Sequence, residues 1–237
     1  MELVECTLMN STRPAKNFRG VRLVIFDLDG TLIDSARDLI NGVNAMRAAF
    51  ELPLLSDRTV MSFIGNGARD LVRQALADGD SGALLDESAI DRAVLHFREH
   101  YAAHLLDNTR PYPGVVEALD GLKSLPLAVL TNKPLRFATP ILEGLNLAGR
   151  FRRVYGEDSF ATKKPDPAGM HALLREFGAS PGEAVMVGDA EIDVLTARNS
   201  GTWMCGVTYG LSSNSLVEYP PDLLVDNLLE LLPALGI

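Results

Sequence analysis

The chain has 237 residues, 47% hydrophobic and 22% charged, with a formal net charge of −9. That length and mix suit a globular α/β chain that buries its own core, either one domain or a core carrying an insertion. The acidic balance excludes generic nucleic-acid binding, which needs a basic surface, and no apolar run approaches the ~20 residues that cross a bilayer.

Residues 1–20 carry Glu2 and Glu5 and lack a continuous apolar stretch, so they read as a loose extension, not a secretory signal. Cys6 and Cys205 lie far apart without metal-ligand spacing, which predicts free thiols in a reducing cytoplasm, with a long-range disulfide as the rare alternative. Residues 21–26 are a β-rich apolar run that stops at Asp27-Leu28-Asp29-Gly30-Thr31, as a buried parallel strand does. Between 36 and 50 the apolar positions Ala36, Leu39, Ile40, Val43, Met46 and Phe50 have helical spacing. Further helices are expected around 57–64, 68–76 and 88–104, and no strand is expected before about 126. The stretch 36–110 therefore reads as an all-helical unit, punctuated at its end by Arg110-Pro111-Tyr112-Pro113-Gly114.

Strand and helix then alternate. Strands are expected at 127–130, 153–155, 184–187, 202–207 and 223–225. Helices are expected at about 137–145, with Pro140 confined to the first turn, around Met170 to Phe177, and at 191–200 before Gly201. This order predicts an α/β fold: a Rossmann-like parallel sheet core of residues 1–35 and 111–237, with the helical unit 36–110 inserted after the first strand.

Asp27, Asp29, Thr131 and Asp189 each follow an apolar strand, and Lys164 lies in a strand-to-helix loop. Parallel sheets bind ligands at the carboxyl ends of their strands, so folding should gather these residues into one crevice. With Leu28 turned into the core, Asp27 and Asp29 can both face that crevice. Close carboxylates call for a cation, and oxygen ligands suit Mg²⁺. Asp189 is a third carboxylate, and Asp193, one helical turn on, reaches the same ion or its water shell. Thr131 and Lys164 add a hydroxyl and a positive charge. Taken singly, each has an ordinary reading as a cap, turn former or solvated charge; taken together, they describe a phosphoryl site.

Asp27-Leu28-Asp29-Gly30-Thr31-Leu32, Thr131-Asn132, Lys164-Pro165-Asp166-Pro167 and Gly188-Asp189 with Asp193 resemble the four motifs of the haloacid dehalogenase-like hydrolases. The likeness runs from about residue 20 onward. Phe63-Ile64-Gly65-Asn66-Gly67-Ala68, Leu130-Thr131-Asn132-Lys133-Pro134, Val207-Thr208-Tyr209-Gly210 and the ending Leu231-Leu232-Pro233-Ala234-Leu235-Gly236 are similar to segments of bacterial phosphoglycolate phosphatases. The resemblance implies hydrolysis of a small phosphomonoester such as 2-phosphoglycolate, with Asp27 as nucleophile and Asp29 as general acid and base. It implies Mg²⁺ on the Asp27 side chain, the Asp29 carbonyl and Asp189, with Asp193 behind them. Thr131 and Lys164 would hold the phosphoryl oxygens, helped by Gly30, Thr31 and Asn132. The helical unit would close as a mobile cap, bringing Asn66 over the crevice. Arg69 and Lys133 are candidates for a substrate carboxylate, each with an ordinary reading as a surface charge.

Other readings within the family are a sugar-phosphate or nucleotide phosphatase, a phosphosugar mutase and a dehalogenase. A signalling receiver that stores phosphate on aspartate is a reading of another class, opposed by the long helical insert and by Asp29. A binding module with a dead core is opposed by the filled catalytic positions. The expected partner is a small phosphate ester, with no nucleic acid and no membrane, and the chain is expected to be a monomer or homodimer. His96, His100 and His104 recur every four residues and read as a packing or solvated face.

Overall fold

The computed structural model describes residues 18–77 and 86–237. Most of the expected N-terminal extension, with Cys6, lies outside them. In chain order the regular elements begin with β1 (Leu23–Phe26), β2 (Ile33–Asp34), α1 (Ala36–Ala49), α2 (Asp57–Met61), α3 (Ala68–Ala77), α4 (Glu87–Ala103) and β3 (Arg110–Pro111). There follow α5 (Val115–Gly121), β4 (Leu127–Leu130), α6 (Leu135–Gly144), β5 (Arg153–Tyr155), α7 (Ala168–Phe177), β6 (Ala184–Gly188) and α8 (Glu191–Ser200). The chain closes with β7 (Trp203–Val207), β8 (Leu223–Val225) and α9 (Leu231–Leu235). No helix among the described residues is long and apolar enough to cross a membrane.

All four β1 residues are buried because each face of the strand meets its own apolar layer. Val24 and Phe26 join a core that includes α5, α6 and α9, whereas Leu23 and Ile25 join one that includes α7 and α8. Burial on both faces is why β1 shows no polar alternation. The six-stranded sheet has the order β5-β4-β1-β6-β7-β8, and every neighbouring pair is parallel. The Rossmann-like α/β core expected from the strand–helix alternation is therefore present.

Between β2 and β3 the chain makes α1 to α4, which share a separate apolar cluster containing Leu39, Val43, Met46, Leu71, Ile90 and Phe97. Arg47 is buried among them, and its guanidinium donates to the carbonyls of Pro53 and Ala75, the latter in the last turns of α3. A cation at that end complements the helix dipole. The residues read from sequence as punctuation at 110–111 are a strand, paired antiparallel with Ile33 and Asp34. Two-residue strands are too short to show periodicity. Pro140 also differs from expectation. Because α6 starts at Leu135, Pro140 sits beyond the first turn and withholds a donor from the carbonyl of exposed Arg136, which faces water.

The two crossings beside this ribbon are tied by one carboxylate. Buried Asp38 of α1 accepts from Asn108 N (3.0 Å), Asn108 Nδ2 (2.7 Å), Thr109 N (2.8 Å) and Thr109 Oγ1 (2.7 Å). Burial works to raise its carboxyl, yet the four donors hold it below the usual range. A depressed value means stability that is present above about pH 4 and lost as the pH falls through the folded value. Asp38→Ala should therefore cost about 2–4 kcal/mol at neutral pH, with the deficit shrinking near pH 3. Chemical denaturation at both pH values checks this, and an equal deficit at both would remove the charge from the explanation.

Candidate active site

The sheet order reverses at β1. The chain runs outward through β4 and β5, then returns to lay β6 on the other side of β1. Such a switch point leaves a crevice at the strand ends. Asp27, Thr131 and Asp189 are the first residues beyond β1, β4 and β6, and all three are buried at one cavity. Main-chain pairing extends one residue past two of these strands and fixes the directions: Asp27 N donates to Val187 O at 2.9 Å, and Thr131 N to Tyr155 O at 3.0 Å.

The loop after β1 is wound on a single carbonyl. Leu28 points into the core, and its oxygen accepts from the N–H groups of Thr31, Leu32 and Ile33 at 3.0–3.3 Å. This leaves Asp27 and Asp29 on the crevice side. Gly30 has φ +84°, and a Cβ there would stand 2.4 Å from Asp189 Oδ2. Gly210 faces the same carboxylate from the loop after β7, where a Cβ would lie 2.2 Å from Asp189 Cβ. Glycine at both positions leaves the space that Asp189 occupies. Thr31 Oγ1 (3.0 Å) and Ser212 N (2.9 Å) then orient the Asp189 oxygens.

Lys164 joins the carboxylates from the other side. Its Nζ donates to Asp193 Oδ1 at 2.6 Å and stands 2.9 Å from Asp27 Oδ1. Asp193 is fully buried, and its second oxygen accepts from Ala190 N at 3.2 Å. Both Asp193 oxygens are thus engaged within the protein, which suits a residue that positions Lys164. Burial alone would pull the Lys164 ammonium down, but Asp193 and Asp27 hold it above its ordinary value.

One oxygen each from Asp27, Asp189 and Asp193 lie within 4.8 Å of one another. Burial, helped by the Asp193 charge, pushes Asp27 up to about 6 against the pull of Lys164. Burial with the charges of Asp193 and Asp27 pushes Asp189 up to about 8. Lys164 therefore does not neutralise the cluster by itself. An all-oxygen donor set carrying surplus negative charge, with Asp27 Oδ1 lacking a directed hydrogen bond, fits a hard divalent cation.

Asp29 belongs to a second ionic group. Lys133 Nζ reaches both its oxygens at 2.9 and 3.0 Å and also donates to Tyr101 OH of α4 at 2.8 Å. Ser35 Oγ donates to Asp29 Oδ1 at 2.5 Å. Lys133 is buried, so its surface-charge reading from sequence is corrected: the lysine two residues past β4 points inward, where Asp29 and Tyr101 offset the cost of burial and keep it charged. The cavity over both groups measures about 60 Å³, with an apolar wall that includes Leu39, Leu71, Phe97 and Phe137.

A family model described as haloacid dehalogenase-like hydrolase matches residues 24–207, a span that contains every one of these carboxylates and lysines. The chain belongs to the haloacid dehalogenase-like hydrolases. It is 41% identical to phosphoglycolate phosphatase 1 of Pseudomonas aeruginosa over 229 residues, covering 95% of this chain and 84% of that one. It is 38% identical to the phosphoglycolate phosphatase of Agrobacterium fabrum, covering 90% and 91%. Among solved structures, a predicted phosphoglycolate phosphatase from Haemophilus somnus matches with a TM-score of 0.84 at 33% identity, covering 90% of this chain and 97% of that one.

Within this haloacid dehalogenase-like site the sequence-derived residues fall unevenly. Asp27, Asp29, Thr131, Asn132 and Asp189 line the cavity, and Lys164 and Asp193 stand behind Asp27. Gly30 and Thr31 touch Asp189. Asn132 Nδ2 donates to Lys164 O, and its Oδ1 is buried without a partner. Asn66 is not brought in. Its neighbours Gly65 and Gly67 line the cavity, but Asn66 is exposed at an adjoining cleft and offers its carbonyl to Lys163 Nζ. Arg69 is turned away as well, with its guanidinium paired to Glu87 and Asp91 of α4. The histidines stay apart from the cavity, His100 of α4 stacked at 4.4 Å on His104 just past the helix end and His96 of α4 against Phe50. Sequence reasoning missed Tyr101, Ser35 and Ser212. Tyr101 follows Phe97 by one helical turn and reads as core, and the two serines carry no periodic signal.

Proposed function

We propose that this hydrolase is a phosphatase that cleaves a small phosphomonoester, 2-phosphoglycolate, to glycolate and phosphate through a phosphorylated Asp27. The observation that carries the reading is the Asp27 carboxylate at the switch point, with Lys164 at 2.9 Å, carboxylate oxygens of Asp189 and Asp193 close by, and Asp29 in the same cavity. The names of the relatives support the choice of ester.

In this mechanism an Asp27 oxygen attacks phosphorus in line and the bond to the ester oxygen breaks. Asp29, once it has taken up a proton from solvent, gives that proton to the departing alkoxide, then takes one from the water that cleaves the aspartyl-phosphate. Lys164, held by Asp193, keeps Asp27 ionised and neutralises phosphoryl oxygens, while Thr131 and the main-chain N–H groups of Leu28 and Asp29 orient them. Asp27, Asp189 and the Asp29 carbonyl would hold Mg²⁺, which supplies positive charge for the phosphoryl oxygens. A cytoplasmic setting belongs to the same reading.

The division into a core of 1–35 and 111–237 and a cap of 36–110 is part of this proposal. Contacts across that division support a cap that closes by hinging. Ser212 Oγ donates to Ile64 O at 3.3 Å, Lys163 Nζ pairs with Asp70 at 3.1 Å, and Arg98 stands 3.6 Å from Glu157. Opening such contacts would widen the way into the cavity for a substrate.

Free-phosphate release across a panel of small phosphate esters tests the reading. 2-Phosphoglycolate should be turned over fastest, chelation should stop the reaction, and Mg²⁺ should restore it. Absence of phosphate release from every ester would overturn the proposal.

A further inference from the structure

The reaction proposed above needs Asp29 free to face the ester oxygen, yet Lys133 grips both Asp29 oxygens. Lys133 is also the only lysine or arginine among the described residues lining the cavity, since Lys164 is engaged by Asp27 and Asp193 behind it. Its ammonium is held in place from the helical side by Tyr101 OH, with the Tyr101 ring centroid 4.7 Å away. An ammonium with one anionic partner at the edge of a small, largely apolar cavity is suited to receive a second anion carried by the substrate.

We infer that Lys133 is the specificity residue of this site: it exchanges Asp29 for the carboxylate of the bound ester, and that exchange releases Asp29 toward the leaving oxygen. The inference rests on the phosphatase reading and deepens it. It limits good substrates to short esters with a carboxylate beside the phosphate. A neutral ester leaves Lys133 on Asp29 and reacts poorly. A sugar phosphate offers many hydroxyls to a wall that includes leucine and phenylalanine side chains, which cannot satisfy them. Tyr101 couples the exchange to the helical unit, because the lysine is fully held only when α4 is seated over the crevice.

The test compares kcat/KM for 2-phosphoglycolate and ethyl phosphate, whose leaving groups differ by the carboxylate. In Lys133→Met the ratio of the two constants should fall by about 100-fold from its wild-type value, the scale of losing a charged contact to a bound anion. Lys133→Arg should recover part of the ratio, which restored folding alone would not do. Lys133→Gln, which keeps a hydrogen-bond donor for Asp29, gives the same comparison if the methionine variant does not fold. A ratio within about threefold of wild type in the methionine or glutamine variant, with both esters still hydrolysed, overturns the inference and leaves the phosphatase reading standing. Failure of the wild-type protein to release phosphate from either ester removes both.

Discussion

Asp27→Asn is expected to lower turnover by on the order of 10⁴ to 10⁶, the scale on which an enzyme loses its nucleophile. The amide keeps the shape of the carboxylate but cannot form the acyl phosphate. The fold should not suffer. Burial already pushes the Asp27 carboxyl up to about 6, so its charge is a cost to the metal-free protein, and Lys164 keeps its 2.6 Å bond to Asp193. Thermal unfolding of the chelated variant should therefore occur at or above the wild-type temperature, while phosphate release falls to background. Full activity in a preparation free of host phosphatases would remove Asp27 from the role of nucleophile.

Lys164→Met should damage both stability and rate. Lys164 is 3% exposed and is the cation between Asp27 and fully buried Asp193. Removing one member of a buried ionic group leaves charge without compensation and typically costs about 3–5 kcal/mol. Loss of a charge aimed at the phosphoryl oxygens should add about 10²–10³ in kcat. Denaturant unfolding separates this from simple loss of packing. Adding Asp193→Asn to Lys164→Met removes the stranded carboxylate, so the double variant should be more stable than the lysine variant alone. If the second substitution deepens the loss, the buried charge is not the cause.

What was legible in the sequence is the part written by local rules. β1, β4 and β6 are apolar runs with a polar residue at their carboxyl ends, and a parallel sheet carries its ligands at those ends, so the pattern alone places Asp27, Thr131 and Asp189 together. The failures concern directions that depend on how one unit faces another. Asn66 lies between two glycines that do line the cavity, but a turn points one side chain out while its neighbours face in. Arg69 is one position along α3 from cavity-lining Ala68, and that rotation of about 100° sends it to Glu87 and Asp91 instead. Tyr101 has the opposite history: helical spacing marks it as core, and only the approach of α4 to β4 shows its hydroxyl on Lys133. The β2–β3 ribbon is held by pairing between residues almost eighty positions apart, which no local pattern encodes.

The central place of β1 in the sheet has a consequence for how the molecule is made. A ribosome delivers this strand well before its two sheet neighbours, which begin only at residues 127 and 184. While the chain grows, the apolar cluster of α1 to α4 can begin to assemble, and β1 must wait with its hydrogen-bonding edges bare. A copy truncated before β6 would expose an unpaired hydrophobic strand, so incomplete chains are expected to aggregate, and without Asp189 the phosphatase reading expects them to be inert.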